Sequence, residues 1–378
     1  MGVLGRHGSD RRVLRLRLAR RAALRIVTAL LTVALALAAP TGAAARRETG
    51  PTVAQLVGQK LMITMGGSRV SAELAGRVRR GEVGGVVLLG SNITTRAALI
   101  RLTRTLQRAA AEGGQPPLLI AIDQEGGSVK RVPWAAPTVT VPEMGRIGRR
   151  SVARAQGALT GSALRRLGIN VDLAPVADLP RSTASFMYQQ GRTFSFDARR
   201  MAGLADAFAS GLASRGVLAT MKHFPGIGLA DRNTDREVET IGASRATLRA
   251  DLRPYRRAIR HDIPLIMLSN ARYTAYDRRN AAGWSRAIGE GLLRKELGFT
   301  GVTITDSLNG TAHARGRTVK RLAIRAANAG TDIILVTSSP RSSAWLYLRL
   351  LEEAREGTIP LTTLRTSYHR ILALKADL

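Results

Sequence analysis

The sequence predicts an α/β fold, a (β/α)8 TIM-like barrel that forms a single domain with extra C-terminal helices. Two observations carry this expectation. From about residue 55 onward, short apolar runs alternate with longer amphipathic segments, and eight such units fit the span of a barrel. The runs are rich in Val, Ile and Leu without a polar residue at every second position, as in parallel strands buried on both faces.

The eight runs lie at 61–65, 84–89, 118–122, 171–176, 218–221, 265–268, 302–304 and 333–336. Helical apolar spacing recurs between them, at 96–111, 198–215, 247–260, 288–297 and 319–329. The tail from 342 to 378 reads as two more helices. The rival architecture is a doubly wound open sheet. It calls for a glycine-rich phosphate loop after the first strand, and Met65-Gly66-Gly67 matches one poorly. No linker or internal repeat divides the chain after its first segment.

That first segment reads as an export signal. Residues 1–45 begin with a basic stretch, continue through an apolar run at 26–39, and end in Pro40-Thr41-Gly42-Ala43-Ala44-Ala45. The domain division is therefore 1–45, a signal peptide or an uncleaved anchor, and 46–378, the barrel. The run is short for a membrane span, so cleavage is the expectation, and the protein is expected to be exported, extracellular or associated with the cell envelope.

The chain of 378 residues carries a formal net charge of +31, with Arg far exceeding Lys. Such charge favours polyanions. There is no nucleic-acid motif and no basic stripe interleaved with aromatics, so acidic envelope polymers are the expected class of polyanionic partner and nucleic acid is not expected. The absence of Cys excludes disulfides, thiolate metal sites, a cysteine nucleophile and a lipoprotein-type anchor. The five His are scattered, and no metal or other cofactor is expected.

A barrel carries its active site at the C-terminal ends of its strands. Here those ends hold unusual polar chemistry. The third run leads into Asp123-Gln124-Glu125-Gly126-Gly127, the fourth towards Asp178 and on to Arg192, the fifth into Lys222-His223, the sixth into Ser269-Asn270, and the seventh into Asp306. Asp306 could be a nucleophile, a metal ligand or a helix N-cap. Asp123 could accept two sugar hydroxyls, Arg192 could grip oxygens with two parallel donors, and Lys222-His223 could clamp a ligand with a point charge and a directional donor. Each also has a plain structural reading: a capping Asp, a surface Arg, a satisfied buried His.

Together these segments resemble glycoside hydrolase family 3, and within it the single-domain β-N-acetylhexosaminidases that act on cell-wall amino sugars. Asp123-Gln124-Glu125-Gly126-Gly127 is similar to the family's D-Q-E-G-G, and Ala174-Pro175-Val176-Ala177-Asp178 to its A-P-V-x-D. Gly191-Arg192-Thr193-Phe194 corresponds to its Arg-bearing loop, Lys222-His223-Phe224-Pro225-Gly226 to its K-H-F-P-G, and Thr305-Asp306-Ser307-Leu308 to its [ST]-D-[DS]-L. The resemblance implies retaining hydrolysis of a terminal β-linked N-acetylhexosamine. It makes Asp306 the nucleophile, and Asp123, Arg192, Lys222 and His223 the sugar-binding residues. It implies a carbohydrate partner and no cofactor.

The chain departs from the family pattern in the loop after the fifth strand. The family's Asp-His dyad, whose His is the general acid/base, is replaced by Asn233 and Asp235. Ile227 and Asn270 also stand where the family has His, and Ser128 where it has Arg. Asp235 is the candidate acid/base, if its pKa is raised by burial or by a nearby carboxylate; Asp231 is the second candidate. The competing expectation is a catalytically silent envelope protein that keeps the sugar site. A phosphorylase is a third.

Overall fold

The computed structural model describes residues 50–378 except Val238 and Asp377. The expected export signal, residues 1–45, lies outside the described residues. Among those described, no helix is long and apolar enough to cross a membrane.

Eight parallel strands form one sheet: β1 (Leu61–Thr64), β2 (Gly85–Leu88), β3 (Leu119–Ile122), β4 (Val171–Asp172), β5 (Leu218–Phe224), β6 (Leu265–Leu268), β7 (Val302–Thr305) and β8 (Ile334–Val336). From β1 to β7 each pairs with its sequence neighbours, and β1 pairs with β8. The remaining seam joins β7 to β8 through a parallel bridge between Ile304 and Ile333. There the Thr305 N–H donates to the Ile333 carbonyl at 3.0 Å and the Ile333 N–H to the Thr303 carbonyl at 2.8 Å. The sheet thus closes into the expected barrel.

A helix follows every strand: α1 (Ala72–Arg79), α2 (Arg96–Glu112), α3 (Arg150–Arg166), α4 (Ala198–Ala213), α5 (Arg253–Ile259), α6 (Ala287–Glu296), α7 (Val319–Ala329) and α8 (Pro340–Arg355). Their starts are chemically marked. Ser71, Thr95, Asp197, Thr318 and Ser339 each cap a helix by accepting a backbone N–H that would otherwise lack a partner.

Alternate residues of each strand enter different cores, because side chains alternate across a strand. Leu61, Ile63, Val86, Leu88, Ile120 and Ile266 pack outward against the helices. Met62, Val87, Leu119, Ala121, Leu265, Met267, Val302 and Ile304 fill the barrel interior. This two-sided burial explains why the runs read as continuously apolar. The final helix, Leu361–Lys375, contributes Ile371 to the interior core, with Leu374 and Leu378 packed against it. Its buried Lys375 Nζ donates to Gln59 Oε1 at 2.7 Å and to the Gly84 carbonyl, beside the start of β2, at 2.8 Å. This helix covers the N-terminal end of the barrel and leaves the opposite end for chemistry.

Three local departures from the expected elements have identifiable causes. The pattern at 247–260 divides into Arg245–Leu248 and α5, because Pro254 can occupy only the first turn of a helix. The pattern at 288–297 is helical but wound with π-type hydrogen bonds over Ala287–Glu296. The fourth run pairs regularly only at Val171–Asp172, since Pro175 has no N–H to give the ladder. Contact with β5 resumes at a bridge between Val176 and Lys222.

Candidate active site

The inward-facing rungs of three strands continue into polar residues. Leu119 and Ala121 lead to Asp123, and Val302 and Ile304 lead to Asp306; on β5, Leu218 and Thr220 precede Lys222 in the same alternation. The strands therefore deliver these side chains to the open end of the barrel. There a cavity of about 450 Å³ is lined by Asp123, Arg192, Lys222, His223, Asp235 and Asp306, among others. All six residues expected from the sequence are brought together. Asp231 is exposed and is not among the residues lining the cavity.

β5 does not stop at Met221, as the apolar run suggested. It continues through Phe224, with a register shift against β6 between Met221 and Phe224 and a cis peptide between Lys222 and His223. The two adjacent side chains find different partners. Lys222 Nζ lies 2.6 Å from Asp123 Oδ1 and 2.7 Å from Glu125 Oε1. His223 Nδ1 lies 2.7 Å from Asp178 Oδ2.

Glu125 was not singled out from the sequence as a site residue, yet it joins the cationic half of the site. Arg192 grips it with two parallel bonds, Nε to Oε2 at 2.8 Å and Nη2 to Oε1 at 2.7 Å. Burial alone would raise the Glu125 pKa, but Lys222 and Arg192 outweigh it and hold the carboxyl at about 2. Burial alone would likewise discharge Lys222. The charges of Asp123 and Glu125 reverse that and raise its pKa. The cluster is fully charged and self-compensated, which is the condition for burying so many ions.

Asp178 plays a similar part for His223. Its Oδ1 accepts the Ile227 N–H at 2.8 Å and the His223 N–H at 3.2 Å, while its Oδ2 meets the imidazole. This fixes the ring and leaves Nε2 for a ligand. Asp306 is oriented by its neighbour, since the Ser307 N–H donates to its Oδ1 at 2.8 Å.

Asp235 reaches the cavity on a loop tied to the helix that follows Asp306. Thr311 Oγ1, in helix Leu308–Ala314, donates to the Thr234 carbonyl at 3.0 Å. The Asp235 N–H donates to Asn233 Oδ1 at 2.9 Å. Asn270 Nδ2 faces Asp235 Oδ1 at 3.4 Å and donates to the Ser307 carbonyl at 2.9 Å. Burial, and then the negative charge of Asp306, push the Asp235 pKa up to about 7, against opposing effects of His223, Asn270 and Arg192. A carboxyl in this state can exchange a proton near neutral pH. The sequence alone could name Asp235 but could not supply its environment. Asn270, read there as a polar strand end and as a departure from the family's His, is the side chain that faces it.

Comparison with known proteins follows the same lines. The model of the glycosyl hydrolase family 3 N-terminal domain matches residues 52–374. An uncharacterized secreted glycosyl hydrolase of Arthroderma benhamiae is 34% identical over 328 residues, covering 85% of this chain and 92% of that one. The β-N-acetylglucosaminidase of Paenibacillus sp. FPU-7 superposes with a TM-score of 0.83 at 32% identity. The match covers 87% of this chain and 63% of that larger protein. The β-N-acetylhexosaminidase of Beutenbergia cavernae superposes with a TM-score of 0.80 at 30% identity, covering 86% of this chain and 99% of that one.

Proposed function

The chain belongs to glycosyl hydrolase family 3 and is a glycosidase; from that premise we propose that it removes terminal β-linked N-acetylhexosamine from glycans by a retaining mechanism. Asp306 is the nucleophile and Asp235 the acid/base. The observation that supports this reading is that Asp235, its pKa pushed up to about 7, lines the same cavity as Asp306.

The free oxygen of Asp306 attacks the anomeric carbon while the Asp235 proton passes to the glycosidic oxygen. The leaving alcohol departs, and a covalent glycosyl–Asp306 ester remains. Water then gives a proton to Asp235 and attacks the same carbon, and Asp306 is released. Asp123, Arg192, Lys222 and His223 hold the sugar's hydroxyls. The ion pairs and hydrogen bonds that already hold these side chains mean that they cost no reorganisation when the reaction occurs. Residues 1–45 export the protein, and its substrate is a cell-wall amino-sugar glycan or fragment. That the two solved relatives are a β-N-acetylglucosaminidase and a β-N-acetylhexosaminidase supports the N-acetylhexosamine assignment.

A panel of aryl β-glycosides of rising leaving-group pKa tests the mechanism. Asp306→Ala abolishes turnover of every member. Asp235→Ala lowers kcat/KM about 10²–10⁴-fold with poor leaving groups and little with a dinitrophenolate, whose kcat falls instead because release of the ester has lost its base. Equal losses across the panel would remove Asp235 from the acid/base role. The alternative reading, a silent glycan-binding protein, is motivated by the replacement of the family's dyad by Asn233 and Asp235. It predicts saturable sugar binding with no aryl release at all.

A further inference from the structure

The outer helical ring carries a second and larger concavity, a groove of about 930 Å³ that shares no lining residue with the candidate active site. Among the described residues its lining includes eight Arg, no Lys and a single acidic residue, Glu296. Arg253, Arg256, Arg257 and Arg260 recur at three- and four-residue intervals along α5 and its C-cap, and Arg249 follows the short Arg245–Leu248 helix just before them. On a helix that interval sets neighbouring side chains about 5–6 Å apart. Arg150 at the start of α3 and Arg199 in the first turn of α4 add charge from neighbouring elements.

Two features set this groove apart from a merely basic surface. The first is positioning. Arg257 Nε is held by Asp206 Oδ2 at 2.8 Å, and a side chain at Gly203 would come within 2.8 Å of Arg150 Nε, so the glycine leaves room for that guanidinium to lie across α4. The second is unspent charge. Among the described residues, no carboxylate lies within ion-pair distance of Arg150, Arg199, Arg249, Arg253 or Arg260, all of them exposed. Like charges gathered in one concavity repel unless an anion fills it. Guanidinium forks are suited to the paired oxygens of phosphate.

We propose that this groove binds an extended phosphodiester polymer without bases, of the polyol-phosphate type. The charge spacing fits a chain with one anion per short repeat, and the permanent charge of a phosphodiester matches guanidinium groups that never deprotonate. Nucleic acid fits less well. Single-stranded nucleic acid is held by aromatic faces on which bases stack, and among the described residues the only aromatic one lining the groove, Tyr276, has one ring face covered by Arg245 at 5.0 Å. The groove would anchor the enzyme on an anionic polymer independently of which sugar the barrel cleaves.

Fluorescence anisotropy of the full chain with labelled poly(glycerol phosphate) at physiological ionic strength tests the proposal. The triple variant Arg249→Ser, Arg253→Ser, Arg260→Ser is compared with Arg101→Ser, Arg104→Ser, Arg108→Ser, which removes the same charge from exposed positions on α2. Wild type binds, and the affinity falls as salt rises. The groove variant loses tenfold or more and the α2 variant less than threefold, while both keep wild-type circular dichroism and thermal midpoint. Equal losses in the two variants would reduce the effect to overall charge and overturn the proposal. So would tighter binding of polygalacturonate or of single-stranded DNA than of poly(glycerol phosphate).

Discussion

Gly310 and Asp235 approach more closely than any side chain at 310 would permit. A Cβ at Gly310 would lie 2.1 Å from the Asp235 carbonyl oxygen, a backbone atom that cannot rotate aside. The glycine therefore lets the Asp235 loop rest on the helix that follows Asp306. Gly310→Ala pushes that loop outward. The kcat/KM for poor leaving groups is expected to fall at least tenfold, with a smaller change in kcat/KM for activated aryl substrates. A stability loss of about 1–3 kcal/mol is expected from overpacking, readable by urea denaturation. A variant with wild-type turnover on both substrate types would mean that the loop does not need this contact.

The Asp235 carboxyl predicts a pH dependence whose sign is fixed. Its pKa is raised to about 7, so the proton-donating form predominates below that pH and is lost above it. For substrates with poor leaving groups, kcat/KM is expected to decline as pH rises through about 7. A dinitrophenyl substrate, which needs no proton in the first step, should not show this limb, and neither should Asp235→Ala. A profile identical for both leaving groups in the wild type would show that the limb belongs to another group.

Glu125 should act chiefly on stability. It is 2% exposed and paired with both Lys222 and Arg192. Its folded-state pKa is about 2, below the ordinary value. The stability it supplies is thus present above pH 4.5 and lost as pH falls towards 2. Glu125→Gln leaves the buried Lys222 and the partly buried Arg192 undercompensated, and a loss of about 3–5 kcal/mol is expected at pH 7. The gap between mutant and wild type should narrow on acidification. Urea midpoints from pH 7 down to pH 3 measure it, and a gap that stays constant would contradict the assignment.

The barrel was legible because all eight strands are buried on both faces, so each appears as an apolar run whatever its register. Helices were less evenly visible. The sequence marks α2 by its regular Leu spacing, whereas the apolar face of α3 is built largely from Gly, Ala and Thr, such as Gly157, Thr160 and Gly161, and carries little periodic signal. The polar strand ends pointed to the site because a buried strand rarely continues into Asp, Lys or His without a use for them. What stayed hidden were the partners. Whether Glu125 serves Lys222, or Asp178 serves His223, depends on neighbouring strands that are distant in sequence. The environment of Asp235 depends on Gly310 and Asn270, each contributed by a different part of the chain.

The most direct test of the mechanism is mass spectrometry after incubation with a fluorinated N-acetylglucosaminyl substrate bearing an activated leaving group. Such a sugar slows release of the ester more than its formation. One glycosyl unit per chain, located on the peptide containing Asp306 and absent in Asp306→Ala, is the predicted result. Continued aryl release with no adduct, or label on a different carboxylate, would contradict the account.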